Sequence, residues 1–406
     1  MTHPAPHRRP PPRRPVAGFT LVELMVAMTI GLVLALAISL SMLAMGRQFR
    51  IVGANSAAQV NSQLALSLID EAGRAAGAGL FSNGQPICQS FNAWHSGSVK
   101  SNGALLMPAR IVDGGSAGLP DQIVFTSSNA VGPLSGMPVL KAMGASSDPI
   151  VVSDAGYVSA SDVAIVGVPG STTTPCTLFQ VSAAPAVATG TTNCGNASQC
   201  KTLDHAAGGS FNPPSGTFTT EPQYGFDTTG GNGPAVVMRL GTEFRQDGFR
   251  VLCNTLVSYN AFTDNPTCTA APLDFTGGAN ALVSDVVLMH AQYGISASAA
   301  SDVVTNWVDA SGGTWAAPSA TNAGRIKAIR VVLVTRSKEA ASEAVTAASC
   351  TNGGGVVNAG PCSFDDAEAP AIDLSGLAVP AGRTWRHYRY RVHQAVIPLR
   401  NVIWSN

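Results

Sequence analysis

The chain has 406 residues, is 45% hydrophobic and only 12% charged, and carries a formal net charge of zero. That length holds one large domain or two ordinary ones, and no Gly-Lys-Ser/Thr loop is present to cradle a nucleotide phosphate. Residues 1–18 contain four arginines and no acid, and the remainder sets 20 bases against 24 acids, a balance too mild to argue for or against a charged partner.

Residues 1–17 are rich in Pro and Arg and do not form a helix. Residues 19–46 are 28 long and hold one charge, Glu23. At about 1.5 Å per residue a helix there covers roughly 40 Å, enough to cross a bilayer. Arg8, Arg9, Arg13 and Arg14 precede it, which places the N-terminus in the cytoplasm and the rest outside. An ordinary secretory signal is the competing reading, with small residues for cleavage in "ISLSMLAMG" (38–46). The apolar stretch is longer than a signal core, however, and it begins with a carboxylate. A carboxylate in hydrocarbon is costly, so intramembrane charges are usually paired and functional; snorkelling of Glu23 to the interface is the bland alternative.

Beyond Arg47, Val52, Val60, Leu64, Leu68, Ala72 and Ala76 recur at multiples of four, with polar residues between them. This predicts an amphipathic continuation of the helix that ends in the glycines of "AGRAAGAGLF" (72–81). Gly73 and Gly77 read as turn chemistry. After residue 80 the pattern changes to short strands between Gly/Ser/Pro/Asn stretches. Candidates are 121–127, 162–168, 234–240, 249–257, 281–295, 325–337 and 387–398, with long loops over 169–234. One helix followed by many strands predicts an α+β head with a mostly antiparallel sheet.

Eight cysteines stand at 88, 176, 194, 200, 253, 268, 350 and 362, with no C-x-x-C. An even count without metal spacing favours disulfides, formed in an oxidising compartment after export. Local closures Cys194–Cys200, Cys253–Cys268 and Cys350–Cys362 would leave Cys88 with Cys176, one of about 105 complete pairings.

"GFTLVEL" (18–24), with basic residues before it and an apolar helix after, resembles the class III signal of type IV pilins and type II secretion pseudopilins. The resemblance implies cleavage by prepilin peptidase between Gly18 and Phe19, and N-methylation of Phe19. It also implies pairing of Glu23 with the N-terminal amine of a neighbouring subunit during assembly. The segments 285–295, 325–337 and 385–401, with "LIDEAGRAAGAG" (68–79), resemble PilW-type minor pilins. The fold then expected is pilin-like: a long N-terminal helix, membrane-spanning in its first half, packed on a large β-rich head. Its parts are a leader (1–18), a transmembrane half-helix (19–46), an amphipathic periplasmic half-helix (47–78) and a head (79–406). The function implied is that of a non-catalytic minor pilin in the initiation or tip complex, without a cofactor. Its partners would be other minor pilins, the major pilin, prepilin peptidase, the inner-membrane assembly platform and lipid around 19–46. The expected place is the inner membrane with a periplasmic head, and then the pilus. A type II secretion minor pseudopilin and a helix-anchored adhesin are the alternatives. Residues 80–280 match nothing in this resemblance.

Other signals are set aside on physical grounds. "GGSAG" (114–118) meets a nucleophile-elbow pattern, but Pro120 and a strand follow where a helix is needed, so Ser116 reads as a turn residue. "FDDAEA" (364–369) lacks calcium-loop spacing and reads as a solvated loop. His290 and His387 have no metal-ligand spacing. Arg383, Arg386, Arg389, Arg391 and Arg400 make the C-terminal segment basic; pairing with acids on a neighbouring strand is expected there ahead of nucleic-acid binding.

Overall fold

An apolar run without an internal proline forms one helix, Leu21–Ala75. The computed structural model describes residues 20–78, 80–82, 85–86, 88–128, 136–189, 199–221, 223–224, 234–270 and 273–403. The chain divides into two compact units, 1–56 and 57–406. In the first, Leu21–Met42 is a 22-residue span of mean hydropathy 2.5, none of it buried, which is long and apolar enough to cross a membrane.

The second unit is α+β and mostly antiparallel. A six-stranded sheet runs in the order Ser98–Ala104, Phe91–His95, Cys176–Gln180, Val163–Gly167, Val236–Gly241, Met137–Pro138. Its pairing of Cys176 with Phe91 is parallel, and its other strand pairings are antiparallel. A five-stranded sheet runs Asn280–Ser284, Thr255–Asn260, Arg245–Leu252, Gln122–Ser127, Ala109–Val112. A four-stranded sheet runs Val304–Asp309, Val286–Ser296, Ile326–Arg336, Tyr390–Pro398.

Two predicted strands are each divided in two. The 249–257 run turns back at Cys253 and Asn254, whose φ values of 46° and 56° build a tight hairpin. The 281–295 run breaks at Asp285, φ 61°, and its halves enter different sheets. Inside 169–234, read as loop, Cys176–Gln180 is a central strand of the six-stranded sheet. The disulfides of the described residues are Cys88–Cys176, Cys253–Cys268 and Cys350–Cys362. Cys200 is also disulfide-bonded, and Cys194 lies outside the described residues.

The principal core lies where the C-terminal part of the helix meets the five- and four-stranded sheets. Ala65, Ile69 and Ala76 pack there with Phe125, Tyr293, Val331 and Ile397. The buried stripe is therefore Ser62, Ala65, Ile69, Gly73 and Ala76. Leu64 and Leu68, expected on the core face, are 59% and 36% exposed. The strict four-residue spacing drifts around a helix of about 3.6 residues per turn, and small residues facing the sheets allow closer approach than leucines.

Gly73 marks the closest approach. A Cβ there would lie 2.5 Å from Ile397 Cγ2 and 3.3 Å from the Phe125 ring. Gly73 is thus a contact residue inside the helix, and the turn falls to Gly77, φ 83°, whose N–H donates to the Thr126 carbonyl at 2.8 Å. Asn401 completes the helix end: its side-chain amide donates to the carbonyls of Arg74, Ala75 and Ala76 at 3.2, 3.3 and 3.0 Å. Gly73→Ala gains about 1 kcal/mol of helix propensity but overpacks the contact at a cost of about 1–3 kcal/mol. A net fall in thermal midpoint is expected; a midpoint at or above wild type would show that Ile397 turns aside freely.

Candidate assembly site

Two places concentrate the polar side chains of interest: the start of the apolar helix and the four-stranded sheet of the second unit. They belong to different compact units and are described separately.

At the helix start, Thr20 precedes the first helical residue, and Leu24 N–H donates to its carbonyl at 3.1 Å. Glu23 Oε2 accepts from the Thr20 backbone N–H and from the Thr20 hydroxyl, each at 2.9 Å. Glu23 N–H donates back to Thr20 Oγ1 at 3.2 Å. This is a capping box, a Thr-x-x-Glu pattern legible in "TLVE" but not read from it. It gives Glu23 a local task, satisfying donors that every helix N-terminus leaves open. Glu23 Oε1 has no hydrogen-bond partner among the described residues. Gly18 and Phe19 lie outside them.

In the four-stranded sheet, Val286–Ser296 is buried along its whole length, and Ile326–Arg336 is buried up to its last residue. One face joins the principal core. The other carries Leu288, Val332 and Val334 and is covered by Ile372 and Leu374 from a long loop. The Cys350–Cys362 bond closes part of that loop.

A buried guanidinium fastens it. Arg330, 1% exposed, donates from Nε to Gln292 Oε1 at 2.5 Å and from Nη1 and Nη2 to the Asp366 carboxylate at 2.6 and 3.2 Å. It also donates to the Glu368 carbonyl. Its guanidinium lies 4.9 Å from the Trp307 ring centroid and 4.8 Å from that of Phe364. Glu368 in turn accepts from the side chain of Asn306 at 2.9 Å and from the Trp307 backbone N–H at 2.7 Å. The acidic stretch read as a solvated loop is therefore a clasp. The lone Arg within "AIRVVLV" was the signal for it, because a cation in a buried strand demands a carboxylate.

His290 is the second buried polar centre. Its Nδ1 lies 3.3 Å from Asp121 Oδ2 and its Nε2 lies 3.0 Å from the Ala117 carbonyl. Asp121 also accepts from Ala291 N–H and Gly114 N–H at 2.8 and 2.9 Å. This ties the 113–121 turn to the central strand. Among the described residues no three His, Cys, Asp or Glu side chains gather as metal ligands. Ser116 lies in the same turn, its carbonyl accepting from Leu119 N–H at 3.0 Å. His387 Nδ1 accepts from Thr384 N–H at 3.1 Å in a short 3-10 turn.

The basic C-terminal segment departs from expectation. Arg383, Arg386, Arg389 and Arg391 make no carboxylate ion pair among the described residues. Arg383 and Arg386 instead donate to the carbonyls of Ala341, Ser342 and Thr346. Tyr388 is buried beneath the Arg336 guanidinium, 4.7 Å from its ring centroid.

Residues 272–401 match the family model of type IV pilus-assembly protein W, and residues 13–39 match the prokaryotic N-terminal methylation motif. These two matches support a PilW-type type IV pilin. No curated protein and no solved structure matches it. The PilW match covers the four-stranded sheet, the Arg330 clasp and Asn401, and the methylation motif covers Thr20 and Glu23. Type IV pilus association and membrane anchoring follow from these two segments together with the apolar span.

The His290 contact predicts a stability that depends on pH. Burial pulls the imidazole pKa down, but the Asp121 carboxylate and the Ala117 carbonyl hold the net value above the ordinary one. A raised folded-state pKa contributes stability that is full below the unfolded value of about 6.5 and is lost as pH rises through the folded value. The thermal midpoint of the wild type should fall as pH rises above about 6.5, and His290→Asn should flatten that slope. Parallel slopes in the two proteins would exclude a charged His290.

Proposed function

We propose that this chain is a non-catalytic minor pilin that takes part in the initiation and tip complex of a type IV pilus. The observation that carries the reading is one chain joining a prepilin-type signal to a PilW-type sheet. The chain is made as a prepilin and cut between Gly18 and Phe19 by prepilin peptidase, and Phe19 is then N-methylated. The apolar helix holds it in the inner membrane, N-terminus cytoplasmic and head periplasmic, until it joins other minor pilins and the major pilin. Arg8, Arg9, Arg13 and Arg14 before the span support that orientation.

Glu23 would serve twice. Oε2 closes the helix start, and Oε1, with no partner among the described residues, is the atom that would receive the amine of a neighbouring subunit. Two substitutions separate these tasks. Glu23→Gln keeps an acceptor for the Thr20 bonds and removes the charge. Thr20→Ala removes the hydroxyl and keeps the charge. Immunoblots of sheared pili should show Glu23→Gln depleted at least tenfold with processing intact, and Thr20→Ala near wild type. The reverse pattern would assign Glu23 to capping alone. Gly18→Glu should leave the uncut prepilin, and mass spectrometry finding a mature Phe19 terminus in that variant would overturn the cleavage assignment.

A further inference from the structure

The part of the chain outside the family match holds a cavity of about 170 Å³ beside Val166 and Phe179 of the six-stranded sheet. Its walls are mainly apolar and include Ile150, Leu178, Pro213 and Phe218. For scale, an engineered dry cavity of about 150 Å³ accommodates benzene. The volume here suits one six-membered ring with a small substituent.

The hydrogen-bonding inventory of the wall is lopsided. Tyr224 is buried, and desolvation pushes its phenol pKa up, so the hydroxyl stays protonated and donates to the Pro175 carbonyl at 2.6 Å. Thr177 must then donate its own hydroxyl to Tyr224, 2.8 Å away. Asn212 spends its amide protons on the carbonyls of Gln180 and Ala206. Ser146 donates to Glu221 Oε2 at 3.2 Å. His205 Nε2 faces the Asp148 carbonyl at 2.9 Å, so that nitrogen carries a proton.

The Ser147 and Ser215 hydroxyls remain as neutral donors, and the remaining acceptors include a carboxylate. Glu221 is the one charged side chain in the lining, with no Lys or Arg there. Its carboxylate has about four acceptor sites and uses two, for Ser146 and for Phe218 N–H. The Phe179 and Phe218 rings add apolar wall. A ligand that brings donors and positive charge is favoured by Glu221, and it must fill an apolar volume. An anion would meet Glu221 with no compensating cation.

We infer that the cavity binds a primary ammonium carried on a compact apolar body, the ammonium on Glu221 and the body against the phenylalanine and proline wall. Nothing in the pilus-subunit reading requires this site, so the two stand or fall separately.

The test uses the full chain in detergent micelles and isothermal titration calorimetry with three isosteric probes: cyclohexylamine, cyclohexanol and cyclohexanecarboxylate. Saturable binding of cyclohexylamine is expected, at least tenfold tighter than cyclohexanol, with no binding of the carboxylate. Glucosamine, the same ammonium on a hydroxylated ring, should bind more weakly; tighter binding would overturn the apolar-body assignment. Glu221→Gln should reduce cyclohexylamine to the affinity of cyclohexanol. Ala206→Trp, which fills the cavity from a wall position, should abolish binding while the circular dichroism spectrum is retained. Equal binding of amine and carboxylate, no saturable binding by the wild type, or amine binding that survives Ala206→Trp would each overturn the proposal.

Discussion

The C-terminal end of the long helix can approach the sheets only because its inward face is almost free of side-chain bulk. At Gly73 the backbone stands so near Ile397 and Phe125 that no Cβ fits without movement. The principal core, which draws on two sheets and the helix, is arranged around that contact. Asn401 closes the helix end from the opposite end of the sequence by taking three terminal carbonyls. The first and last described elements of the second unit thus meet at one point. The strands between them contribute Phe125, Tyr293 and Val331 to the same core.

The four-stranded sheet solves a different problem. Its two central strands are buried on both faces, but the helix and the five-stranded sheet cover only one. The other is covered by an irregular loop, which brings fewer apolar side chains than a second layer would. Arg330 makes up the difference in specificity. A guanidinium buried between two rings and a carboxylate admits one position of the loop, whereas hydrophobic contact alone tolerates sliding. Asp366 is 45% exposed, so the ion pair is buried on one side only and avoids the full desolvation of two charges.

Legibility in the sequence followed the range of the interactions. The apolar span, the length of the helix and the strands at 121–127, 162–168, 234–240 and 325–337 are local patterns, and they lie where those patterns place them. The face of the helix was misread because Leu64 and Leu68 are stronger hydrophobes than Ala65 and Gly73, while packing distance favoured the small residues. The breaks at Cys253 and Asp285 carry no glycine to announce a left-handed turn. The Thr20–Glu23 box is a local Thr-x-x-Glu pattern, and the same carboxylate is both a helix cap and a charge at the start of an apolar span. The clasp on Arg330 and the cap by Asn401 join residues 36 and more than 300 positions apart, and no local spacing encodes them.

The single parallel strand pairing of the six-stranded sheet sits beside the Cys88–Cys176 bond. Parallel strands cannot be joined by a tight turn, and here the connection runs from His95 to Cys176 through several other strands. Bringing those ends together restricts a very large set of random-chain conformations. A covalent link with a sequence separation of 88 removes much of that freedom from the unfolded ensemble, worth roughly 4–5 kcal/mol in the chain-entropy account. This long-range parallel pairing is therefore one that a covalent bond at its own first residue also holds. Such a head would be a different thermodynamic object on the reducing side of the membrane.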